Sequence, residues 1–498
     1  MAKKTSPKHS SSPVAQSSDS PVAGTSLEKY LASIPENTQI DHYKRHKHSL
    51  ELFVSWNEPG RSQRRCPNCG SSHCVKKDGG AMQTVRHVPC GSCGILLTFH
   101  KPRFLCRDCG KSFYVRPSWA MPGMSITTYA FIDIVSRLTS STQCVEQIAR
   151  DTYTSAAIVR TVMYRIKLNK PESLPVTLGI DEFHGQTGTY DPKSKRFITE
   201  KYHCVITDPD NGCVLDILYK ATYKTLHDYF MSYPLLIRQK VKFFCADMRG
   251  GFSKVARNCF PNAKICVDPF HVVKLITDAV GELRIDAWHS LISRAKELEY
   301  QASVAKKKDN DNLAQRKLQD AKKLQADASL VKNSHRVLIT SQLNEEAYWT
   351  RHEAKRDERL KDLFAIVPEL ETAYDALQSF YSLADASPCQ YQRACLTDWI
   401  REYESCELLS IQRAAATIKK RRRGIENSWR FNKSNGPTEG LNKRIKDTRR
   451  MAFGAHNFEN FRRRALLACG ATTIEPAQYT IFDEKHSSPG SEILPRYK

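Results

Sequence analysis

Residues 176–183 read VTLGIDEF and residues 241–248 read VKFFCADM. Each is a short apolar run ending in an acid, Asp181 in the first and Asp247 in the second. Runs of this length, rich in β-branched and aromatic residues, predict buried strands. Between them, KYHCVITDPDNGCVLDILY (201–219) predicts two strands around a turn at Asp208 to Gly212, and LHDYFMSYPLLI (226–237) an amphipathic helix. A strand, a hairpin, a helix and a further strand, in that order, suit a sheet in which the first and fourth strands lie side by side. The two acids then meet at the strand ends. Neighbouring carboxylates repel, and divalent cations between them relieve the repulsion.

That strand order is the order of a ribonuclease-H-like sheet. Two divalent ions about 3.5–4 Å apart, held by such acids, can activate a nucleophile and stabilise the leaving oxygen of a phosphodiester. A third acid usually completes the cage. The candidate is Glu439 in FNKSNGPTEGLNKRIK (431–446). Gly436-Pro437 and Thr438 read as a turn and cap, which puts Glu439 in the first turn of a helix. Lys443, Arg444 and Lys446 on the same helix would then lie near phosphates.

The composition fits a polyanionic partner. Of 498 residues, 76 are Lys or Arg and 53 are Asp or Glu, an excess of 23 positive charges. No run of about 18 apolar residues predicts a membrane span. The first 26 residues are rich in Ser, Pro, Ala and Lys and lack the apolar core of a secretory signal. Seventeen cysteines in such a chain argue for thiols and metal sites in a reducing compartment.

Three C-x-x-C pairs occur: Cys66/Cys69, Cys90/Cys93 and Cys106/Cys109. Two such pairs supply the four ligands of a tetrahedral zinc. We favour the outer pairs, in CPNCG and CRDCG, as a structural zinc site. Cys90/Cys93 either forms a hairpin turn or replaces one outer pair, and His73, Cys74 and His87 are further alternates. Next, CVEQIARDTYTSAAIVRTVMYRIK (144–167) has the pattern of a helix-turn-helix. Thr154 or Ser155 would cap its second helix, which buries Ile158, Val159 and Val162 and turns Arg160, Arg165 and Lys167 outward. Lys419, Lys420, Arg421, Arg422 and Arg423 form a basic run that suits a DNA backbone or, equally, a solvated helix end.

The expected organisation is multidomain α/β. A disordered leader (1–26) and a short helical segment (27–60) precede a zinc-binding ribbon (61–118) and a helix-turn-helix domain (119–168). The first part of a ribonuclease-H-like mixed-sheet core (169–269) follows. An all-α insertion (270–425), the closing part of the core with the third acid (426–472) and a tail (473–498) complete the chain.

Four segments carry a resemblance to a known family: CPNCG to CRDCGKSF (66–113), LGIDEF (178–183), ADMRGGFSKVARNCFPNAKICVDPFHVVKL (246–275) and SNGPTEGLNKRIKDTRRMAFGAHNFENFRRRAL (434–466). Over about residues 60–470 the chain resembles the bacterial insertion-sequence transposases of the ISL-three family, within the Asp-Asp-Glu superfamily. The resemblance implies that Asp181, Asp247 and Glu439 are catalytic acids holding two Mg²⁺ ions, with Mn²⁺ as a substitute. It implies that Asp268 and His271 belong to a motif after the second acid, His271 against the scissile phosphate or leaving group. It further implies cleavage and strand transfer at terminal inverted repeats, duplex DNA as partner, pairing of ends by a homodimer or larger assembly, and a bacterial cytoplasmic, nucleoid-associated location. The alternative is a transposase-derived DNA-binding protein that no longer cuts. The family commonly has a plain turn where this chain has Cys90-Gly-Ser-Cys93, and the leader and the tail after about 475 match nothing in it.

Overall fold

The computed structural model describes residues 34–470, apart from 36, 141, 169, 192–195, 249, 343–352, 387–388 and 452–456. The expected leader and tail lie outside the described residues. Two compact units emerge: the described residues up to 169, with those of 187–198 and from 444 onward, form the first, and those of 170–186 and 199–443 the second.

In the first unit, β1 (Thr38–Arg45) and β2 (Ser49–Trp56) pair antiparallel. The segment 27–60, expected to be helical, is therefore a β-hairpin over most of its described residues. SLELFVSW alternates Leu50, Leu52 and Val54 with outward residues, a period of two that no helix satisfies. Strands β3 (Cys74–Arg86), β4 (Gly94–Cys106) and β5 (Ser112–Tyr114) complete a sheet of order β1-β2-β4-β3, with β5 on β4. Ile40, Leu52, Val54, Leu97, Phe99 and Trp119 form its core.

Three helices follow: α1 (Thr128–Leu138), α2 (Val145–Asp151) and α3 (Ala156–Arg165). Each has a side-chain N-cap, from Thr127, Cys144 and Ser155 respectively. Ile134, Ile148, Val159 and Val162 meet in their common core, which also takes Leu467 from the helix Phe458–Cys469. On that helix Arg464 is only 4% exposed and donates to the carbonyls of Leu138, Ser140 and Gln143. Burial lowers its pKa to about 10. Leu138 ends α1 and Ser140 and Gln143 follow it, so the guanidinium ties down the helix end and the loop after it.

The second unit holds the other sheet, of order β10-β9-β6-β7-β8. Its strands are β6 (Thr177–Asp191), β7 (Arg196–Asp208), β8 (Cys213–Leu218), β9 (Phe243–Ala246) and β10 (Lys264–Val267). Strand β6 does not end at its acid, as the apolar run suggested. Its pairing with β9 stops at Ile180, and the strand continues to Asp191 beside β7. The turn from β7 to β8 is built by Asp208, whose carboxylate accepts from the N–H groups of Asp210 and Asn211, and by Gly212 at φ 63°. Helices α4 (Tyr223–Met231) and α5 (Leu235–Arg238) replace the one helix expected at 226–237. Pro234 lies between them and cannot donate a helical hydrogen bond. Helix α6 (Gly250–Cys259) covers the sheet, where Phe230, Phe244, Val255 and Phe260 pack together.

The remaining elements of this unit are helical: α7 (Pro269–Lys307), α8 (Asp311–Asn333), α9 (His335–Ile339), α10 (Glu353–Ile366), α11 (Glu369–Asp385), α12 (Cys389–Glu404), α13 (Leu409–Phe431) and the start of α14 (Gly436–Met451). Along α7 and α8, buried alanines recur every seven residues, at 295 and 302 on one and at 314, 321 and 328 on the other. Small residues at that spacing let two long polar helices pack closely. Helix α13 lies on edge strand β10: Asn427 donates to Ile265 O at 2.9 Å and Ser428 to Val267 O at 2.5 Å. A Cβ on Gly424 would stand 2.6 Å from Val267 Cγ2. The expected insertion boundary at 425 thus falls inside one continuous helix that also closes the sheet edge.

Candidate functional site

Strand register assembles the site. β6 and β9 run parallel with Ile180 opposite Ala246, so the next residues, Asp181 and Asp247, leave neighbouring strands side by side. β10 pairs parallel with β9 on its other side, and its Val267 leads into Asp268. Asp268 caps α7: its Oδ1 accepts from the N–H of Phe270 at 3.1 Å, and Pro269 occupies the first turn. One turn of helix then presents His271.

Helix α14 brings the fourth acid. Glu439 lies in its first turn, as expected. Thr438, expected as a cap, is instead buried, its hydroxyl 2.7 Å from that of Thr207 on β7. Asn435 Nδ2 donates to Ile180 O at 3.2 Å, and Asn442 Nδ2 to Asp181 Oδ2 at 2.5 Å. The helix is therefore fastened to β6 on both sides of Glu439. Gly179 permits the approach. A Cβ there would collide with Thr207 Oγ1, Thr438 Oγ1 and Pro209 Cγ. We expect Gly179→Ala to lower stability by about 1–3 kcal/mol, because overpacking forces the helix outward. A thermal midpoint equal to wild type would show that Thr438 can give way.

The tightest ligand group here is Asp268, His271 and Glu439, whose donor atoms lie within 4.8 Å of one another. His271 Nε2 is 3.3 Å from Glu439 Oε1. Asp181 and Asp247 stand outside that group but within its electrostatic reach. Burial first, then the charges of Asp247 and Glu439, push the Asp181 carboxyl up to about 6, against the N–H of Glu182 and the charge of His271. Burial likewise raises Asp268, and Asp247 adds to it. The Oδ2 of Asp268 is buried without a hydrogen-bond partner. Several carboxylate oxygens, one of them buried and unsatisfied, fit a hard divalent cation.

The Asp181 shift predicts a pH dependence of folding in chelator. The unfolded carboxyl loses its proton near pH 4 and the folded one near 6, so the folded state binds more protons between them. Stability should fall by about 3 kcal/mol as pH rises through that window. Asp181→Asn should remove the fall, as melts from pH 4 to 7 would show. An unchanged slope in that variant would place the effect elsewhere.

In the first unit, Cys66, Cys69, Cys106 and Cys109 come together. Sγ–Sγ distances of 3.6 Å for Cys66–Cys109 and Cys69–Cys106 approach the roughly 3.8 Å of a tetrahedral zinc with 2.3 Å bonds. The backbone N–H of Cys109, with that of Asp108, holds the Cys106 thiol down to about 6 against its burial. Cys90 and Cys93 are not in this cluster. They exchange backbone hydrogen bonds of 3.0 and 3.1 Å and close the β3–β4 turn. Cys74 packs beneath the four and bonds Ser71 O, His73 pairs with Asp108, and His87 is buried against Thr127.

The basic candidates divide. Lys167, Lys420, Arg423, Lys443 and Lys446 are exposed. Arg160 pairs with Glu146, Lys419 with Glu404, and Arg422 with Glu426. Arg421 reaches Ser253 and Arg444 the Ala468 carbonyl. Arg165 is not outward as expected. It is half-buried, because Pro122 O takes its guanidinium at 2.5 Å. The basic run at 419–423 lies well inside α13, not at a helix end. Ile158, expected in the core of α3, is only partly buried, and Met163 takes the third buried place. Sequence reading overlooked Asn442, although its position three residues after Glu439 places both on one side of a helix.

A family model described as "Transposase", of the ISL3 group, matches residues 178–465. The chain is 25% identical over 433 residues to "Transposase for insertion sequence element IS1557" of Mycobacterium tuberculosis, covering 86% of this chain and 89% of that one. It is 23% identical over 401 residues to "Transposase for insertion sequence element IS1001" of Bordetella parapertussis, covering 80% and 86% respectively.

Proposed function

The chain belongs to the ISL3 family of transposases, and on that premise we propose that it binds the terminal inverted repeats of an insertion sequence and cuts and rejoins DNA there by phosphoryl transfer. The observation that carries this reading is the convergence of Asp181 and Asp247, from register-paired parallel strands, with Glu439 at the start of α14. The strand order β10-β9-β6-β7-β8 agrees with a ribonuclease-H-like core.

Asp181, Asp247 and Glu439 would hold two Mg²⁺ or Mn²⁺ ions, with Asp268 as a further oxygen donor. Bound there, such ions polarise the phosphodiester and lower the pKa of an attacking hydroxyl. Asn442 fixes the orientation of Asp181 through its short hydrogen bond. His271, whose Nε2 lies beside Glu439, would hydrogen-bond the scissile phosphate or leaving oxygen. Lys443 and Lys446 follow Glu439 at four and seven residues, on one helix face, and would hold strand phosphates. Lys420 and Arg423 would do the same from α13. Two in-line displacements complete the reaction: water attacks the phosphodiester at the element end and frees a 3′-hydroxyl, the phosphate staying on the 5′ side, and that hydroxyl attacks a target phosphodiester, expelling a target 3′-hydroxyl as the new bond forms. Neither step needs a covalent bond to the protein.

The four-cysteine cluster would hold a structural zinc, and α2 with α3 would act as a helix-turn-helix on the repeats. Pairing of two ends calls for at least a homodimer on DNA, in the bacterial cytoplasm with the nucleoid. Incubation of the protein with labelled duplexes spanning the ends of its element, in Mg²⁺ or Mn²⁺, should yield nicked strands ending in a 3′-hydroxyl. Specific binding with no nicking in either ion would make it a transposase-derived DNA-binding protein instead.

A further inference from the structure

The first unit carries a groove of about 600 Å³ beside the cysteine cluster, and nothing above uses it. Arg65, Lys101 and Arg116 line it, and no acid is among its described lining residues. Such a lining attracts an anion. Tyr114, on β5, contributes a ring that is 48% exposed, with Lys101 Nζ 4.8 Å from its centroid. Gln83 adds an amide that can both donate and accept. Cations, an exposed aromatic ring and an amide in one concavity match the parts of a nucleotide: phosphate, base face and base edge. The volume is of the size a nucleotide fills.

The turn at Gly123 and Met124 also lines the groove. Arg165 holds that turn in place. Its Nη1 donates to Pro122 O at 2.5 Å, and its Nη2 lies 3.0 Å from where a Gly123 Cβ would be. The last arginine of α3, expected to face DNA, thus supports the groove and joins it to the helix.

We propose that this groove binds one unstacked nucleotide of a DNA strand, its phosphate on Lys101, Arg65 and Arg116 and its base on Tyr114. The proposal rests on the reading of the chain as a protein that handles DNA, and it adds a single-strand subsite to it.

The test is fluorescence anisotropy of the full chain with two probes, a duplex bearing a short single-stranded extension and the same duplex blunt-ended. Wild type should bind the extended probe more tightly. Tyr114→Ala should weaken that binding about tenfold and erase the preference, while Tyr114→Phe keeps both. Lys101→Gln should reduce the slope of log affinity against log salt by about 0.7 on the extension. Zinc content and thermal midpoint equal to wild type would show that the variants are folded. If wild type binds DNA and both Tyr114→Ala and Lys101→Gln match it on both probes, the groove assignment is wrong and the transposase reading stands. If wild type binds neither probe, both readings fail. Competition by deoxyadenosine monophosphate with no preference for the extended probe would mark a free-nucleotide site and overturn the strand subsite.

Discussion

Asp247→Asn is expected to lower strand cleavage by at least about a thousandfold while leaving DNA affinity within a few-fold of wild type. The substitution keeps the shape of the side chain and removes one negative charge. Asp247 follows Ala246, which is paired in register with Ile180, and its charge acts on the Asp181 carboxyl. An amide is a poor ligand for a hard cation in a cage built from carboxylates. The basic residues proposed to carry DNA, Lys420, Arg423, Lys443 and Lys446, are not altered. The variant also removes one of the like charges that raise Asp181, so the Asp181 carboxyl should titrate lower. Gel assays of cleavage and of binding on one labelled duplex separate the two effects. Full cleavage by this variant would remove Asp247 from the chemistry.

Cys106→Ser is expected to release one zinc per chain and to melt the ribbon. A structural zinc stabilises a small domain by about 10 kcal/mol or more, comparable to the whole net stability of a typical domain. Apart from the sulfurs, few groups hold this end of the first unit: the local buried cluster is Cys66, Cys74 and Cys106, with Cys109 and Phe113 packed against it. Serine offers a poor ligand, and the three remaining thiols would lose their common partner. Cys90→Ser serves as the control and should keep the metal, because its turn is closed by backbone hydrogen bonds. Elemental analysis of both variants decides between them. Zinc retained by Cys106→Ser, or lost from Cys90→Ser, would assign the ligands differently.

Much of the site is written in local pattern. Short apolar runs ending in Asp181 and Asp247 announce their own strands, and Gly436-Pro437 before Glu439 announces a helix start. Spacing alone does not choose among the three cysteine pairs, which share the C-x-x-C pattern, and only the fold brings the outer two together. What local pattern does not carry is contact between distant residues. The partnership of Asn442 with Asp181 spans 261 positions, and that of Thr438 with Thr207 spans 231. Arg165 looks like a solvent-facing helix residue until Pro122, 43 positions earlier, takes its charge. The hairpin at 38–56 went unread for another reason. Its polar members, such as Asp41, His42 and Lys44, hide the alternation of one strand, and only the second strand shows it plainly.

The measurement that bears most directly on the central claim is anomalous scattering from crystals of the protein grown with Mn²⁺. Two ions about 3.5–4 Å apart, held by the carboxylates of Asp181, Asp247 and Glu439, are the predicted result. A single ion held by Asp268, His271 and Glu439, with Asp181 and Asp247 left uncoordinated, would contradict it.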